Sequence, residues 1–171
     1  MIYVGIVGAE AAKFTPLGER AARVVIRGIL QAAQTEAIGD DERVTLVSGG
    51  CHLGGVDIWA EEEADIISEM SLRIDKRIHL PKERCWSTGY KPRNLLIARD
   101  SAVVYNITVA RYPIGFVGMR FGVCYHCERR FRETDHLTER HVKSGGCWIA
   151  YEAEKLGKLA QWYVIPNEEG Q

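Results

Sequence analysis

No charge of one sign dominates this chain. Lys and Arg number 22 against 23 Asp and Glu, a net charge of -1 at pH 7 with histidine neutral. Such a balance gives no global pull toward nucleic acid or an anionic membrane, so only a local basic patch remains to serve either. No apolar run approaches membrane-spanning length. The opening residues, Met1-Ile2-Tyr3-Val4-Gly5-Ile6-Val7-Gly8, lack a charged n-region and are too short and glycine-broken for a signal peptide. Five cysteines is an odd number, and two of them form a C-x-x-C. That pattern argues against a disulfide framework and for metal binding or free thiols. Low-complexity segments, flexible linkers and long repeats are also missing. Together these absences predict a soluble, cytoplasmic protein.

What is present is enough apolar material for one core. With 171 residues and 46% hydrophobic content, the chain reads as a single domain over 1–171, with 112–143 as an inserted lobe. Short β-rich runs alternate with helical spacing. Strands are predicted over Ile2 to Val7, Val44 to Val47, Arg73 to Leu80, Ser101 to Ile107 and Ala160 to Ile165. Helices are predicted over Leu17 to Ala37, Val56 to Met70, Arg93 to Arg99 and Trp148 to Leu156, with a loop holding Cys85, Trp86, Gly89 and Pro92. This order predicts an α/β, Rossmann-like three-layer fold with a mainly parallel sheet of about five strands.

One short phrase occurs twice: Ser48-Gly49-Gly50-Cys51 and Ser144-Gly145-Gly146-Cys147. Each lies between an apolar run and a helical segment. Glycines where a strand turns into a helix let a ligand approach the backbone, and the helix start behind them offers unpaired N–H groups and a positive dipole end. The alternative is a pair of tight turns. Both phrases follow predicted strands, so both fall on the sheet edge where ligands of such folds bind, as does the loop after Val7.

The stretch from Val47 to Asp57, with Ser48, Gly49, Gly50, Gly54, Gly55 and Asp57 followed by a helix carrying Ala60 and Ala64, resembles the "SGGARGVD" segment of the SLOG superfamily. That group of Rossmann-like proteins includes the DNA-processing protein A group, the lonely-guy phosphoribohydrolases and the YspA-like proteins. Trp86, Gly89 and Pro92-Arg93-Asn94, with Ala98 before a strand, are similar to the tryptophan, glycine and "RN" helix of the YspA-like branch. The second phrase can be laid on the lonely-guy motif P-G-G-x-G-T-x-x-E. Ser144 then stands at the proline, Gly145 and Gly146 at the glycines and Glu152 at the glutamate, while Trp148 and Ile149 replace the third glycine and the threonine.

The resemblance implies a protein that binds a nucleotide or another phosphate-containing derivative at the glycine loops 48–57 and 144–152. Gly8, Ser48, Gly49, Gly50, Gly54, Gly55, Asp57, Arg93, Asn94, Ser144, Gly145 and Gly146 are then the binding residues. It also implies an alternative, hydrolysis of nucleoside 5'-monophosphates at the N-glycosidic bond. There Arg93 would pair with phosphate and Glu152 would stabilise charge at the ribose or orient water. The replacement of the Gly-Thr pair by Trp148 and Ile149 weighs against hydrolysis. Related folds often pair through helices beside the site, which implies a homo-oligomer. Plainer roles stand beside these: Arg93 pairing with a surface carboxylate, Asp57 bonding the turn behind it, and Glu152 as an exposed helix residue. Trp59, Trp148 and Trp162 read as core or interface residues, with Trp148 nearest the expected ligand loop.

The insertion carries Cys124-Tyr125-His126-Cys127, then His136 and His141, with Cys147 following in the second phrase. Two thiolates on one tight turn and two imidazoles nearby are how a four-coordinate structural zinc is commonly held. The expected ligands are Cys124, Cys127, His136 and His141, with Cys147 able to replace one histidine. The alternative is a loop with two free thiols. The lobe also carries Arg120, Arg129, Arg130, Arg132, Arg140 and Lys143, too polar to order itself without a metal. A second alternative function, a nucleic-acid contact through this lobe, is weakened by the interleaved Glu128, Glu133, Asp135 and Glu139.

Overall fold

The computed structural model describes residues 1–39, 43–70, 73–118 and 141–167. Among them the chain runs β1 (Ile2–Gly8), α1 (Pro16–Gly39), β2 (Val44–Ser48), α2 (Val56–Met70), β3 (Asp75–Ile78), α3 (Lys91–Asp100), β4 (Val103–Val109), α4 (Gly145–Lys155) and β5 (Leu159–Ile165). A 3-10 turn at Ala11–Lys13 precedes α1, and one π-helical turn at Trp86–Tyr90 leads into α3. The strands form one sheet in the order β3-β2-β1-β4-β5, and every pairing is parallel. The expected α/β architecture is therefore present, with a wholly parallel sheet in place of a mainly parallel one.

A parallel sheet buried on both faces needs apolar side chains on both sides of each central strand. In β1, Val4 and Ile6 join α1 and α2 residues such as Leu30 and Ala60, whereas Val7 joins Ile97 of α3 and Ile149 and Ala153 of α4. All five residues of β2 are buried for the same reason. Phe14 and Trp59 close the α1–α2 layer edge to face, their ring centroids 4.9 Å apart.

The element ends depart from the sequence pattern where partners set the limits. β3 is an edge strand of four residues, shorter than the span from Arg73 to Leu80, because β2 ends at Ser48, which pairs with Ile78. β4 begins two residues later and ends two residues beyond the expected bounds. Ser101 instead caps α3, its N–H and hydroxyl both donating to the Ile97 carbonyl at 3.1 and 2.8 Å. At the other end Val109 pairs with Ile165. The expected loop around Trp86 is helical. Its wide turn requires Gly89, where a β-carbon would strike the backbone of Glu83, and Pro92 sits within the first turn of α3, where its missing N–H costs nothing.

A half-buried tie joins the residue before β5 to the end of α3. The Lys158 ammonium donates to the carbonyls of Ala98 at 3.1 Å, Ser101 at 2.6 Å and Arg99. These are the carbonyls a helix leaves without internal partners, and a cation there also opposes the negative dipole end. Lys158→Met is expected to lower stability by about 1–2 kcal/mol, read as a lower urea midpoint with an unchanged m-value.

Candidate functional site at the β1–β4 switch point

From β1 the chain turns to β2 and β3 on one side and to β4 and β5 on the other. The order therefore reverses between β1 and β4. The loops leaving these strands diverge there and open a cleft at the carboxyl edge of the sheet. It has a volume of about 620 Å³ and draws its walls from Gly8, Glu10 and Lys13 at and after the end of β1, Cys51 to Gly54 and Asp57 after β2, Trp86, Tyr90, Arg93 and Asn94 around the start of α3, and Ser144 to Gly146 at the start of α4.

The two glycine phrases build this edge in different ways. After β2 the chain makes a true loop, with Gly50 at φ +54 and Gly55 at φ +88, conformations that other residues rarely adopt. The second phrase is no loop. α4 begins at Gly145, and Ser144 is its cap, the hydroxyl accepting the Cys147 N–H at 3.3 Å. Close packing requires the glycine in it: a β-carbon on Gly146 would lie 2.7 Å from Gly8 Cα and 2.8 Å from Gly8 N, and would strike Asn106 Oδ1. Gly145 has no such neighbour, only Asn94 Nδ2 at 3.9 Å, and faces the cleft.

Asp57 and Arg93 meet at the base of the cleft. Arg93 Nη1 donates to the Gly49 carbonyl at 2.8 Å and stands 3.6 Å from Asp57 Oδ2, while its Nε donates to Asn94 Oδ1 at 2.9 Å. Its guanidinium also lies 5.5 Å from the Tyr90 ring centroid. Arg93 thus braces the first glycine loop against α3. Burial raises the Asp57 carboxyl from 3.8 to about 6, against the opposing attraction of Arg93 and the backbone N–H groups of Gly8 and Cys51. Nearby, Ser48 donates to Glu61 Oε1 at 2.9 Å, and burial raises Glu61 as well.

The cation on the β1 side is Lys13, only 4% exposed. Its ammonium donates to the Lys143 carbonyl at 3.3 Å and lies 3.7 Å from Glu10. Burial lowers its pKa in spite of Glu10. Nothing in the sequence reading singled out Lys13, although the loop after Val7 belongs on this edge. That position was the signal for it. Trp86, Tyr90 and His52 add aromatic surface, with Trp86 edge-on to Trp148 at 5.2 Å and His52 stacked on Tyr90 at 6.4 Å.

Of the expected binding residues, Gly8, Gly54, Asp57, Arg93, Asn94, Ser144, Gly145 and Gly146 line the cleft. Ser48, Gly49, Gly50 and Gly55 shape the loop behind it. Glu152 is not among the lining residues; it accepts from Lys155 on the same helix at 2.8 Å. Cys124, Cys127 and His136 lie outside the described residues, as does 119–140 of the expected lobe. His141 is buried, its Nε2 3.3 Å from Cys147 Sγ. No helix among the described residues is long and apolar enough to cross a membrane. Set against family models, curated proteins and solved structures, the chain matches none of them.

Proposed function

We propose that this cleft binds a nucleotide or nucleotide derivative, in the manner the SLOG resemblance implies. One observation carries the reading: the bare glycine start of α4 and the buried Lys13 ammonium line the same cleft of about 620 Å³. A phosphate there would accept N–H groups that the first helical turn leaves unpaired and would face a cation with little competing water. The volume falls within the range of small-molecule sites, and Trp86 and Tyr90 offer flat apolar surface for a base. Arg93, held by Gly49, Asn94 and Asp57, is a brace in this reading. Lys13 supplies the positive charge. A structural zinc that draws on His141 and the Cys/His-rich insertion completes the proposal.

Calorimetry with nucleoside 5'-monophosphates tests it. Binding is expected in the wild type and to weaken by roughly tenfold or more in Lys13→Met, the loss of one charge-assisted contact. No heat with any nucleotide overturns the reading.

The hydrolytic alternative gains one specific support, the carboxyl group of Asp57. It lines the cleft and is held near the pH of general acid–base work, whereas Glu152 is engaged with Lys155. Under that reading, release of free base disappears in Asp57→Asn and persists in Glu152→Gln. Binding without release of base supports the binding protein.

A further inference from the structure

The two glycine phrases differ in what their N–H groups already hold. In the first loop the protein supplies its own acceptors. The N–H groups of Gly8 and Cys51 donate to the Asp57 carboxyl, and that of Gly50 donates to Glu61. Gly54 N–H donates to the Cys51 carbonyl at 3.0 Å, and Val56 N–H to that of Ala9 at 3.2 Å. Asp57 Oδ2 lies 2.7 Å from the point a β-carbon on Gly49 would occupy. A carboxyl group of the chain itself thus stands in the first loop, in the place of a ligand anion.

At the start of α4 the position is reversed. Ser144 takes the Cys147 N–H, while the N–H groups of Gly145 and Gly146 have no acceptor among the described residues, as the first turn of a helix leaves them. A donor from another element joins them. Asn94 is 1% exposed, and Arg93 Nε, donating to its Oδ1 at 2.9 Å, fixes which way the amide faces. Its Nδ2 is therefore the atom turned toward α4, 3.9 Å from the point a β-carbon on Gly145 would occupy, and it too has no acceptor among the described residues. A buried donor left unpaired is costly, and both Asn94 and Gly145 line the cleft.

The full charges lining the cleft come as two pairs. Lys13 lies 3.7 Å from Glu10, and Arg93 lies 3.6 Å from Asp57. Arg93 is committed further to the Gly49 carbonyl and to Asn94. Lys13 is bonded to the Lys143 carbonyl, next to the cap of α4. One cation therefore stands beside the helix start, and no other lysine or arginine among the described lining residues faces a second phosphate. A terminal phosphate presents three non-bridging oxygens to donors arriving from α4, α3 and the turn after β1. A phosphate within a diphosphate bridge presents two.

We infer that the cleft takes a ligand with a single terminal phosphate, seated at the start of α4 with Asn94 Nδ2 as the donor that selects it, and discriminates against ligands joined through a diphosphate bridge. The inference rests on the nucleotide reading and narrows it. It also departs from the expectation that both glycine phrases grip the ligand's anion, since Asp57 fills the first.

Calorimetry on the full chain with the four common nucleoside 5'-monophosphates and with NAD, whose phosphates are both bridging, tests it beside Asn94→Asp. That substitution keeps an oxygen for Arg93 and replaces the donor with an acceptor. A monophosphate is expected to bind the wild type roughly tenfold or more tighter than NAD does, and to lose roughly tenfold or more in Asn94→Asp. Inorganic phosphate is expected to raise the urea midpoint of the wild type and to leave that of Asn94→Asp unchanged, a response that a merely structural asparagine would not control. NAD binding as tightly as the monophosphates, or a monophosphate binding Asn94→Asp as it binds the wild type, overturns the inference and leaves the nucleotide reading in place. If Asn94→Asp does not fold, the comparison of ligands on the wild type decides alone. Absence of binding by every nucleotide, with phosphate still raising the wild-type midpoint, overturns the nucleotide reading and keeps the anion seat at α4; no response to phosphate either overturns both.

Discussion

Gly146→Ala is expected to destabilise the fold by about 2 kcal/mol or more, and the neighbouring Gly145→Ala to leave it unchanged or stabilise it by up to about 1 kcal/mol. Helix propensity favours alanine at both positions, so the difference isolates packing. At Gly146 the new methyl would meet the backbone of Gly8 at the end of β1 and the side chain of Asn106. Neither Gly8 backbone atom sits at the far end of a flexible chain, and both belong to the centre of the sheet. At Gly145 the methyl would enter open space in the cleft. The two variants should therefore part company a second time in ligand binding. Gly145→Ala keeps a stable fold while weakening a phosphate held against α4. Urea denaturation and calorimetry on the pair check both halves; equal stability of the two variants would remove the close-packing account of the second glycine phrase.

The stability of the wild type is expected to fall as pH rises from about 4 to above 6, by about 3 kcal/mol from Asp57 alone. Its carboxyl is raised from 3.8 to about 6 because burial disfavours the charge more than Arg93 restores it. Between those two values the folded chain keeps a proton that the unfolded chain has released. The contribution is thus fully present below about pH 4 and lost as pH rises through about 6. Glu61, also raised by burial, acts in the same direction. Asp57→Asn cannot titrate, so its stability profile across this window is expected to be flatter by the Asp57 share. Urea midpoints at pH 4 and pH 7 for both proteins measure the difference. Parallel profiles would show that Asp57 titrates near its ordinary value.

Much of the scaffold was legible in the chain because it follows from local rules. Ile2–Gly8 and Val44–Ser48 are short, β-rich and free of charged residues, as suits strands covered on both faces. Val56–Met70 begins and ends where its pattern predicts. The sheet edge that carries the cleft also followed from the alternation of strands and helices. The departures arise from long-range partners. β3 is short because β2 stops, and the turn at Trp86 is helical because Gly89 lets it close against Glu83.

The candidate site was only partly legible for the same reason. Ser48-Gly49-Gly50-Cys51 and Ser144-Gly145-Gly146-Cys147 are the same four letters, and no local rule separates them. One becomes a loop with glycines at positive φ and the other a capped helix start, and the contacts that require their glycines, Gly49 against Arg93 and Gly146 against Gly8, join residues far apart in sequence. Arg93 and Glu152 look equivalent as charged helix residues. Packing buries the first against Gly49 and Asp57 and leaves the second beside Lys155. Lys13 gains its interest only from burial. By itself, then, the sequence determined an α/β chain of strands and helices in this order, with glycine turns on one edge of a parallel sheet, since periodicity and turn chemistry are properties of neighbouring residues. Which charges are buried, which glycines are loops and which sulfur meets which imidazole were decided by tertiary structure, because desolvation and close contact depend on what the rest of the chain places there.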